Sequence, residues 1–232
     1  MPDILSVKNV SKTYGSQRAL NNISFTMPEG CITGLLGPNG SGKTTLIKII
    51  MGLISDFTGD VDILANKPGP ASCGSVSYLP DRTYLPEWIT GAAAVGLFAD
   101  FYCDFDKKTA VDMAESMNIP LNKRIKTLSR GMQEKLQLTL VMSRRAKLYV
   151  LDEPIAAVDP AARDFIMRTI LSNCAEGSAI LLSSHIISDI EPALDRAIFL
   201  KEGEIFINDE AENLRNENQT SLDGLFREVF KC

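Results

Sequence analysis

The chain has 232 residues, of which 45% are hydrophobic and 23% are charged, proportions that suit a folded protein with one substantial core. The net charge of −5 and the lack of a long basic run argue against a nucleic-acid partner, since nucleic-acid phosphates require a positively charged surface. The five cysteines are scattered and include no C-x-x-C pair, so neither a disulfide framework nor a zinc site is expected, and a reducing cytoplasm is the simplest environment.

The sequence contains no apolar run of the ~18 residues that a helix needs to cross a bilayer. The longest candidate, Gly91–Ala99, is short and is followed at once by Asp100. The first residues also lack the basic and apolar regions of a secretory signal. We therefore expect no direct membrane insertion, so that another chain would have to supply any membrane-spanning part.

The residue pattern up to about position 81 predicts short strands connected by turns, with one helix among them. Alternating apolar and polar residues between Leu20 and Met27 are typical of a half-buried antiparallel strand. The predicted strands are Ile4–Val10, Ala19–Met27, Cys31–Leu36, Asp60–Leu64 and Ser75–Leu79, and the predicted helix is Thr44–Leu53.

Residues 82–145 change to a helical pattern, and strands alternate with helices again after them. The predicted helices of the middle part are Ile89–Phe101, Lys107–Met117 and Gly131–Met142. Near the end, Glu202-Gly203 is a turn signal between two apolar runs and predicts a hairpin. The elements predicted for the last part are the strands Leu148–Leu151 and Ala179–Leu182, the helices Ala161–Leu171 and Ile186–Leu194, the hairpin Ala197–Ile207, a polar connection Asn213–Thr220 and a final helix Leu222–Phe230.

Residues 37–44 spell G-x-x-x-x-G-K-T between a predicted strand and a predicted helix, which is the context of a phosphate-binding loop. Glycines let backbone N–H groups approach an anion closely, and the N-terminus of the following helix also attracts it. Lys43 is expected to neutralise β- and γ-phosphate charge and Thr44 to bind Mg²⁺. The predicted nucleotide site consists of Gly37, Asn39, Gly40, Ser41, Gly42, Lys43, Thr44 and Thr45.

The loop and the element order together predict an α/β fold with a P-loop NTPase core and a mainly parallel sheet. We predict one domain over residues 1–232, with a nucleotide-binding core made of residues 1–81 and 146–232. An antiparallel β subdomain forms its N-terminal part, and an α-helical subdomain is inserted at residues 82–145. The site is expected at the carboxyl ends of the parallel strands.

Two acidic residues, Asp152 and Glu153, directly follow the apolar run Leu148–Leu151. A buried strand would deliver Asp152 beside the Mg²⁺ bound by Thr44, and Glu153 would then orient or deprotonate the attacking water. Taken alone, the pair fits the solvent-exposed end of a strand equally well. Its position behind a phosphate loop favours the catalytic interpretation.

Three further residues allow two interpretations each. Ser129 suits an N-cap with Gly131 in the first helical turn, although a helix start of this kind also receives anions. His185, the single histidine, follows a predicted strand where a γ-phosphate sensor could stand, although a lone histidine is more often structural. Tyr14 lies where an aromatic ring could stack on adenine, and the alternative is a half-buried strand tyrosine.

Taken together and in this order, these residues resemble an ABC-type ATPase, specifically the nucleotide-binding subunit of an ABC transporter. Residues 37–44 match the Walker A motif and 148–153 the Walker B motif, while 128–132 resemble the ABC signature. Residues 156–159 resemble the D-loop, which adds Asp159 to the expected catalytic set of Lys43, Glu153 and His185. The L-S-x-G-M signature is similar to that of ATP-binding chains of bacterial drug and antimicrobial-peptide exporters.

The resemblance implies ATP and Mg²⁺ as cofactors and two kinds of partner. One is a transmembrane permease, and the other is a second ATP-binding subunit, either identical or a close paralogue. The two subunits would pair head to tail, with Ser129 and Gly131 of one chain completing the site of the other. The expected location is cytoplasmic and peripheral, on the inner face of the cell membrane.

Asp81 departs from the family pattern, because it stands at the place of the Q-loop glutamine that normally touches Mg²⁺. A carboxylate can also bind a hard cation, so Asp81 joins Thr44 and Asp152 as a predicted metal ligand. The extra negative charge predicts a stronger Mg²⁺ requirement.

A second reading is a soluble ABC ATPase that acts as a mechanical switch in an assembly scaffold of the iron–sulfur type, without transport. The signature in such proteins usually keeps S-G-G, which Ser129-Arg130-Gly131 does not match. A nucleic-acid-handling ABC ATPase fits the acidic charge poorly. A phosphate-loop kinase outside this family is opposed by the signature at residues 128–132.

Overall fold

A three-stranded antiparallel sheet forms the N-terminal part of the molecule in a computed structural model that describes residues 3–155 and 160–230. Its strands are β1 (Asp3–Tyr14), β2 (Gln17–Pro28) and β4 (Thr58–Ile63), in the order β2-β1-β4. Strand β2 buries the alternate residues Ile23, Phe25 and Met27, as the alternating pattern predicts.

A six-stranded sheet forms the centre of the molecule, with the strand order β5-β6-β7-β3-β8-β9. Neighbouring strands are parallel except at β8 and β9, which form the predicted hairpin. Strands β6 and β7 are buried along their whole length, as expected for parallel strands covered on both faces. The strands are β3 (Ile32–Leu36), β5 (Val76–Leu79), β6 (Leu148–Asp152), β7 (Ala179–Ser184), β8 (Arg196–Lys201) and β9 (Glu204–Glu210).

Helices cover the central sheet, and those between β5 and β6 form one contiguous stretch of the chain. Helices α3, α4 and α5 begin after the N-caps Thr90, Asp106 and Ser129, each of which accepts a hydrogen bond from the first helical turn. The helices are α1 (Lys43–Ile50), α2 (Pro70–Cys73), α3 (Gly91–Phe101), α4 (Lys107–Ser116), α5 (Arg130–Met142), α6 (Pro160–Asn173), α7 (Ala211–Asn218) and α8 (Leu222–Phe230).

Two hydrophobic clusters hold these layers together. One joins the N-terminal sheet and α1 to one side of the central sheet, with Leu35, Val150 and Leu181 among its buried members. The other joins α3, α4, α5 and α8 to the central sheet through residues such as Tyr149 and Phe199. The fold class expected from the sequence, an α/β P-loop core with an antiparallel N-terminal sheet and inserted helices, is confirmed.

Arg144 joins the helical stretch to the central sheet. Its guanidinium is buried, forms two hydrogen bonds of 3.0 Å with Asp104 and lies 3.9 Å from the centre of the Tyr102 ring. It also donates to the backbone carbonyls of Val76, the first residue of β5, and of Gly74, which lies just before the strand. One side chain therefore satisfies acceptors on both parts of the chain at once.

Two predicted elements near the end of the chain are wrong. The expected helix over residues 186–194 is reduced to a short 3₁₀ turn at Glu191–Ala193, because the Ser184 hydroxyl bonds the Ile186 backbone and Pro192 cannot donate within a longer helix. The expected polar connection over residues 213–220 is mostly helix α7, which buries Leu214 and ends where Gln219 turns left-handed. The short helix α2 was not predicted.

Within residues 3–155 and 160–230, no helix is both long and apolar enough to span a bilayer.

Candidate functional site

The phosphate loop connects the end of β3 to the start of α1. Gly42 has φ 109° in the left-handed region, and a Cβ there would lie 2.7 Å from the Ala19 carbonyl oxygen. A Cβ on Gly37 would collide with the Leu200 carbonyl oxygen. Glycine is therefore required at both positions, since any side chain would push the loop away from β2 or β8.

Lys43 is the first residue of α1 and its side chain turns back into the loop. The ammonium group donates to the carbonyls of Gly37 at 2.7 Å and Pro38 at 3.2 Å, and it lies 3.5 Å from the Glu153 carboxylate. Burial lowers the pKa of Lys43, and the nearby Glu153 charge opposes that shift. The loop thus contains a largely buried ammonium group, which is the kind of group that neutralises phosphate charge.

Asp152 ends β6 and is almost completely buried. The Ser183 hydroxyl donates to its Oδ1 at 2.6 Å, whereas its buried Oδ2 has no hydrogen-bond partner among the residues described. Burial raises the pKa of Asp152, while the Ser183 and Thr44 hydroxyls lower it. A buried carboxylate oxygen without a hydrogen-bond partner, on a side chain that also interacts with Thr44, fits the ligand preference of Mg²⁺.

In the part of the chain that the structure describes, no group of three or more His, Cys, Asp and Glu side chains could hold a metal alone. Mg²⁺ is usually held by one or two carboxylates together with substrate phosphates and water.

Glu153 contacts two other candidate catalytic groups, Lys43 and His185. Its Oε2 lies 2.8 Å from Nδ1 of His185 and its Oε1 lies 3.5 Å from the Lys43 ammonium. The backbone has φ 52°, in the left-handed region that residues other than glycine rarely adopt. Its amide N–H is held by Ser183, with the carbonyl oxygen at 3.2 Å and the hydroxyl oxygen at 3.0 Å.

His185 follows the last residue of β7 and is partly exposed. The Ser184 hydroxyl accepts a hydrogen bond of 2.9 Å from the Ile186 amide and shapes the turn just after the histidine. The structure therefore brings His185 to the acids of β6, because β6 and β7 are neighbouring parallel strands.

A cavity of about 580 Å³ opens above the phosphate loop. Tyr14 lies at its edge with nearly half of its side chain exposed, and the Lys12 ammonium is 4.9 Å from the centre of its ring. Ser41 does not line this cavity, because its side chain is buried behind the loop. The predicted residues that do line it are Tyr14, Asn39, Gly40, Gly42, Lys43, Thr44, Thr45, Asp81 and Glu153.

A second cavity of about 770 Å³ lies between the central sheet and α5. Asp81 and Glu153 line both cavities, so the two spaces meet at these carboxylates. The buried Gln137 of α5 also lines the second cavity and accepts a hydrogen bond of 3.1 Å from the Tyr84 amide. Helix α5 is thereby tied to the segment that follows Asp81.

Ser129 and Gly131 lie apart from the phosphate loop of their own chain. Ser129 is exposed at the start of α5 and accepts a hydrogen bond of 3.3 Å from the Met132 amide. A Cβ on Gly131 would meet no atom within 4 Å, so its surroundings are open. Neither residue lines the phosphate cavity. The predicted catalytic Asp159 lies outside the described residues.

Sequence reasoning missed two residues that organise the site, Ser183 and Gln137. Ser183 bonds both acids, and Gln137 holds the segment beside Asp81. The available signal for Ser183 was a polar residue that directly continues the apolar run Ala179–Leu182. Gln137 offered the same signal as an amide among the apolar residues of α5.

Comparisons with known proteins agree with this site. Residues 20–156 match the family model described as ABC transporter. An uncharacterised ABC transporter ATP-binding protein of Bacillus subtilis, YdbJ, is 33% identical over 210 residues, which cover 87% of this chain and 68% of the relative. The lantibiotic transport ATP-binding protein SrtF of Streptococcus pyogenes is 28% identical over 223 residues, covering 92% of this chain and 93% of the relative.

A solved structure described as the ATP-binding subunit of an ABC transporter has the same fold. It superposes with a TM-score of 0.84 at 27% identity and covers 98% of this chain and 99% of the neighbour. The family model matches more than half of the chain, and the resemblance seen in its motifs is confirmed. The chain therefore belongs to the ABC transporter family, in which it is an ATP-binding subunit with ATPase activity.

Proposed function

We propose that this chain binds and hydrolyses ATP to power a separate transmembrane permease, and that the transporter exports its substrate. Hydrolysis is supported by one observation above all, the contact of Glu153 with both Lys43 and His185 at the phosphate cavity. The chain would act peripherally, on the inner face of the cell membrane, while the permease supplies the membrane spans.

In the proposed reaction each polar group has a separate task. Lys43 neutralises charge on the transferred phosphate, and Glu153 accepts a proton from the attacking water or orients it. His185 contacts the γ-phosphate and shares the water with Glu153, from which it is 2.8 Å away. Tyr14 stacks on the base, since its exposed ring lies at the edge of the same cavity.

Thr44 and Asp152 would hold Mg²⁺, with Asp81 as a second carboxylate at the edge of the cavity. When bound, the ion offsets negative charge on the phosphates as the terminal phosphoryl group is transferred. The unpaired Oδ2 of Asp152 supports this assignment, because a buried carboxylate oxygen without a donor is costly unless a cation or water satisfies it.

We further propose that two ATP-binding chains pair head to tail around the nucleotides. Ser129 and Gly131 support this pairing. They lie at the start of helix α5, which can receive an anion, but they do not line the phosphate cavity of their own chain. In a head-to-tail pair each would face the phosphates held by the other chain. ATP would then draw the two subunits together, and hydrolysis would release them.

The surface of the helical stretch supports docking to a permease. Trp88 is 73% exposed and Phe101 is 78% exposed, and Leu97 lies one helical turn before Phe101 on α3. Contiguous exposed apolar patches on a protein surface mark interaction sites for other proteins or membranes. The Gln137 contact to Tyr84 connects this stretch to Asp81 at the nucleotide cavity, so closure at the cavity can move the docking surface.

Export is the proposed direction because SrtF, a lantibiotic transport ATP-binding protein, matches nearly the whole of this chain. The L-S-x-G-M signature at residues 128–132 supports the same assignment.

The proposal is tested by capturing the partner. We would purify the Glu153→Gln variant from gently solubilised cells with ATP and Mg²⁺, since blocked hydrolysis should preserve the ATP-bound assembly. We expect a multi-spanning membrane protein to be recovered with it. The matched control carries Trp88→Ser and Phe101→Ser in addition, and should keep ATP binding but lose the membrane protein.

Recovery of a soluble scaffold with no membrane protein would overturn the permease proposal. It would favour the alternative, an ABC ATPase that acts as a mechanical switch in an assembly scaffold.

A further inference from the structure

Ser183 lies between the two parts of the catalytic site. It belongs to β7, the strand between β6, which ends in Asp152, and β3, which leads into the phosphate loop. In the parallel register Ser183 pairs with Asp152 on one side and with Leu35 on the other. The side chains of paired residues in parallel strands lie on the same face, so the serine hydroxyl is directed to the acid.

The Ser183 hydroxyl makes two contacts that require different chemistry. It donates its proton to Oδ1 of Asp152 at 2.6 Å and accepts the amide N–H of Glu153 at 3.0 Å. A hydroxyl group can donate one hydrogen bond and accept others at the same time. Ser183 is fully buried, so water does not compete for these bonds.

The two bonds constrain the two acids in different ways. The bond to Oδ1 sets the plane of the Asp152 carboxylate and leaves Oδ2 unpaired for a cation. The bond from the Glu153 amide helps to hold that residue at φ 52°, from which its carboxylate reaches Lys43 and His185. Such backbone conformations persist only where the surroundings hold them.

We propose that Ser183 is a positioning residue that aligns the Mg²⁺-binding acid and the catalytic acid through one hydroxyl group. This inference rests on the proposed roles of Asp152 and Glu153. It means that β7 helps to organise the reaction through Ser183 as well as through the histidine that follows the strand. Groups that orient metal ligands in this way contribute strongly to metal affinity.

The first test is the Ser183→Ala variant of the full chain, with Mn²⁺ as the probe. Electron paramagnetic resonance would measure Mn²⁺ affinity in the presence of a non-hydrolysable ATP analogue. We expect affinity to fall by about 10- to 100-fold, the range typical of losing a group that orients a metal ligand. Binding of the analogue without metal should remain unchanged, since Ser183 does not line the phosphate cavity.

Two conservative variants and a control separate positioning from simple packing. Ser183→Cys keeps the shape but donates weakly, so its Mn²⁺ affinity should lie between wild type and Ser183→Ala. Ser183→Thr keeps the hydroxyl and should restore affinity and turnover. Ser77→Ala removes another buried serine hydroxyl of the central sheet, bonded to the Val141 carbonyl, and should leave Mn²⁺ affinity unchanged.

The proposal fails if folded Ser183→Ala or Ser183→Cys binds Mn²⁺ as tightly as wild type. It also fails if Ser77→Ala loses as much affinity as the Ser183 variants, because the effect would then be general loosening of the sheet. Either result would leave the permease proposal intact, since the capture experiment does not involve Ser183.

Discussion

Glu153 shows how much of the site depends on single side chains. Its carboxylate touches Lys43 and His185, and its backbone is held by Ser183. The carboxylate lies 2.8 Å from Nδ1 of His185 and 3.5 Å from the Lys43 ammonium. The chemistry of hydrolysis should therefore respond to the charge of Glu153 far more than to its size.

Replacing Glu153 with glutamine keeps the shape and removes the base. We expect kcat for ATP hydrolysis to fall by roughly 10²- to 10⁴-fold, the usual contribution of general-base catalysis. ATP affinity should be nearly unchanged, because phosphate binding depends on the loop and Lys43. Phosphate release and binding of a fluorescent ATP analogue would measure the two quantities.

Glu115→Gln, on the outer part of α4 and away from both cavities, is the control for the Glu153 variant. Turnover of Glu153→Gln within a few-fold of the control would rule out Glu153 as the base.

Asp81 adds a negative charge to a cavity that has to accept polyphosphate. It lines the same space as Glu153, and its charge helps to raise the pKa of Asp152. We expect Asp81→Gln to bind metal-free ATP more tightly by a few-fold, since a unit charge at this range contributes on the order of 1 kcal/mol in a hydrated cavity. Calorimetry of ATP binding with Mg²⁺ and with a chelator would measure this dependence.

Asp81→Glu, which keeps the charge, is the matched control. If wild type and Asp81→Gln showed the same ratio of Mg²⁺-dependent to Mg²⁺-independent binding, Asp81 would have no part in the metal requirement.

At the scale of elements, the connection between the helical stretch and the central sheet depends on buried polar contacts as well as apolar packing. Arg144 bonds Asp104 from one side and the carbonyls of Gly74 and Val76 from the other. Gln137 makes a second connection, from α5 to the backbone of Tyr84. Both contacts help to fix the position of the helices relative to the central sheet.

Removal of the Arg144 side chain should destabilise the fold. We expect Arg144→Met to lower the free energy of unfolding by about 3 kcal/mol, because buried carbonyls and a partly buried carboxylate lose their donor. Urea denaturation followed by circular dichroism would measure it.

The neighbouring Arg145 provides the comparison, since it is mostly exposed and pairs with Asp106 at the surface. Its replacement by methionine should cost about 0.5 kcal/mol or less, as for other surface ion pairs. Equal losses for the two variants would show that the buried contacts of Arg144 add nothing to stability.

At the scale of the whole molecule, one chain alone does not bring together all the residues that the proposed mechanism needs. The phosphate cavity gathers residues from β1 and β2, from the phosphate loop and the start of α1, from the segments just after β5 and β6, and from the turn between β8 and β9. Ser129 and Gly131 of α5 are not among the residues that line it. In the proposed head-to-tail pair, these two residues would contact the nucleotide held by the other chain.

Head-to-tail pairing predicts that two inactive variants can complement each other. Lys43→Ala disables the phosphate loop and Ser129→Arg blocks the helix start, so each protein alone should hydrolyse ATP poorly. In a mixed pair, one site combines the intact loop of one chain with the intact helix start of the other. We expect activity to return on mixing, measured as phosphate release against protein ratio.

Mixing two preparations of the same variant is the control for this experiment. Continued inactivity of the mixture, when light scattering shows that mixed pairs have formed, would indicate that each chain builds its site alone.

Local signals in the sequence were enough to predict the phosphate loop and most of the helices and strands. The loop at residues 37–44 and the acids after β6 are recognisable because their spacing is itself the chemical requirement. The final helix and the hairpin around Gly203 were also predicted, because the spacing of apolar residues and the turn residues are signals contained within a few neighbouring positions. The helix expected over 186–194 was wrong because a serine side chain and Pro192 compete with helix hydrogen bonds there.

Tertiary structure alone decided the contacts that make these motifs a site. Ser183 meets Asp152 and Glu153 only because β6 and β7 pair in one particular register, and Arg144 reaches Gly74 only because α5 packs beside β5. The sequence by itself determined the phosphate loop, the acids and the family, through residue types at fixed local spacing. Partners distant along the chain are selected by strand pairing and core packing, which no local spacing encodes.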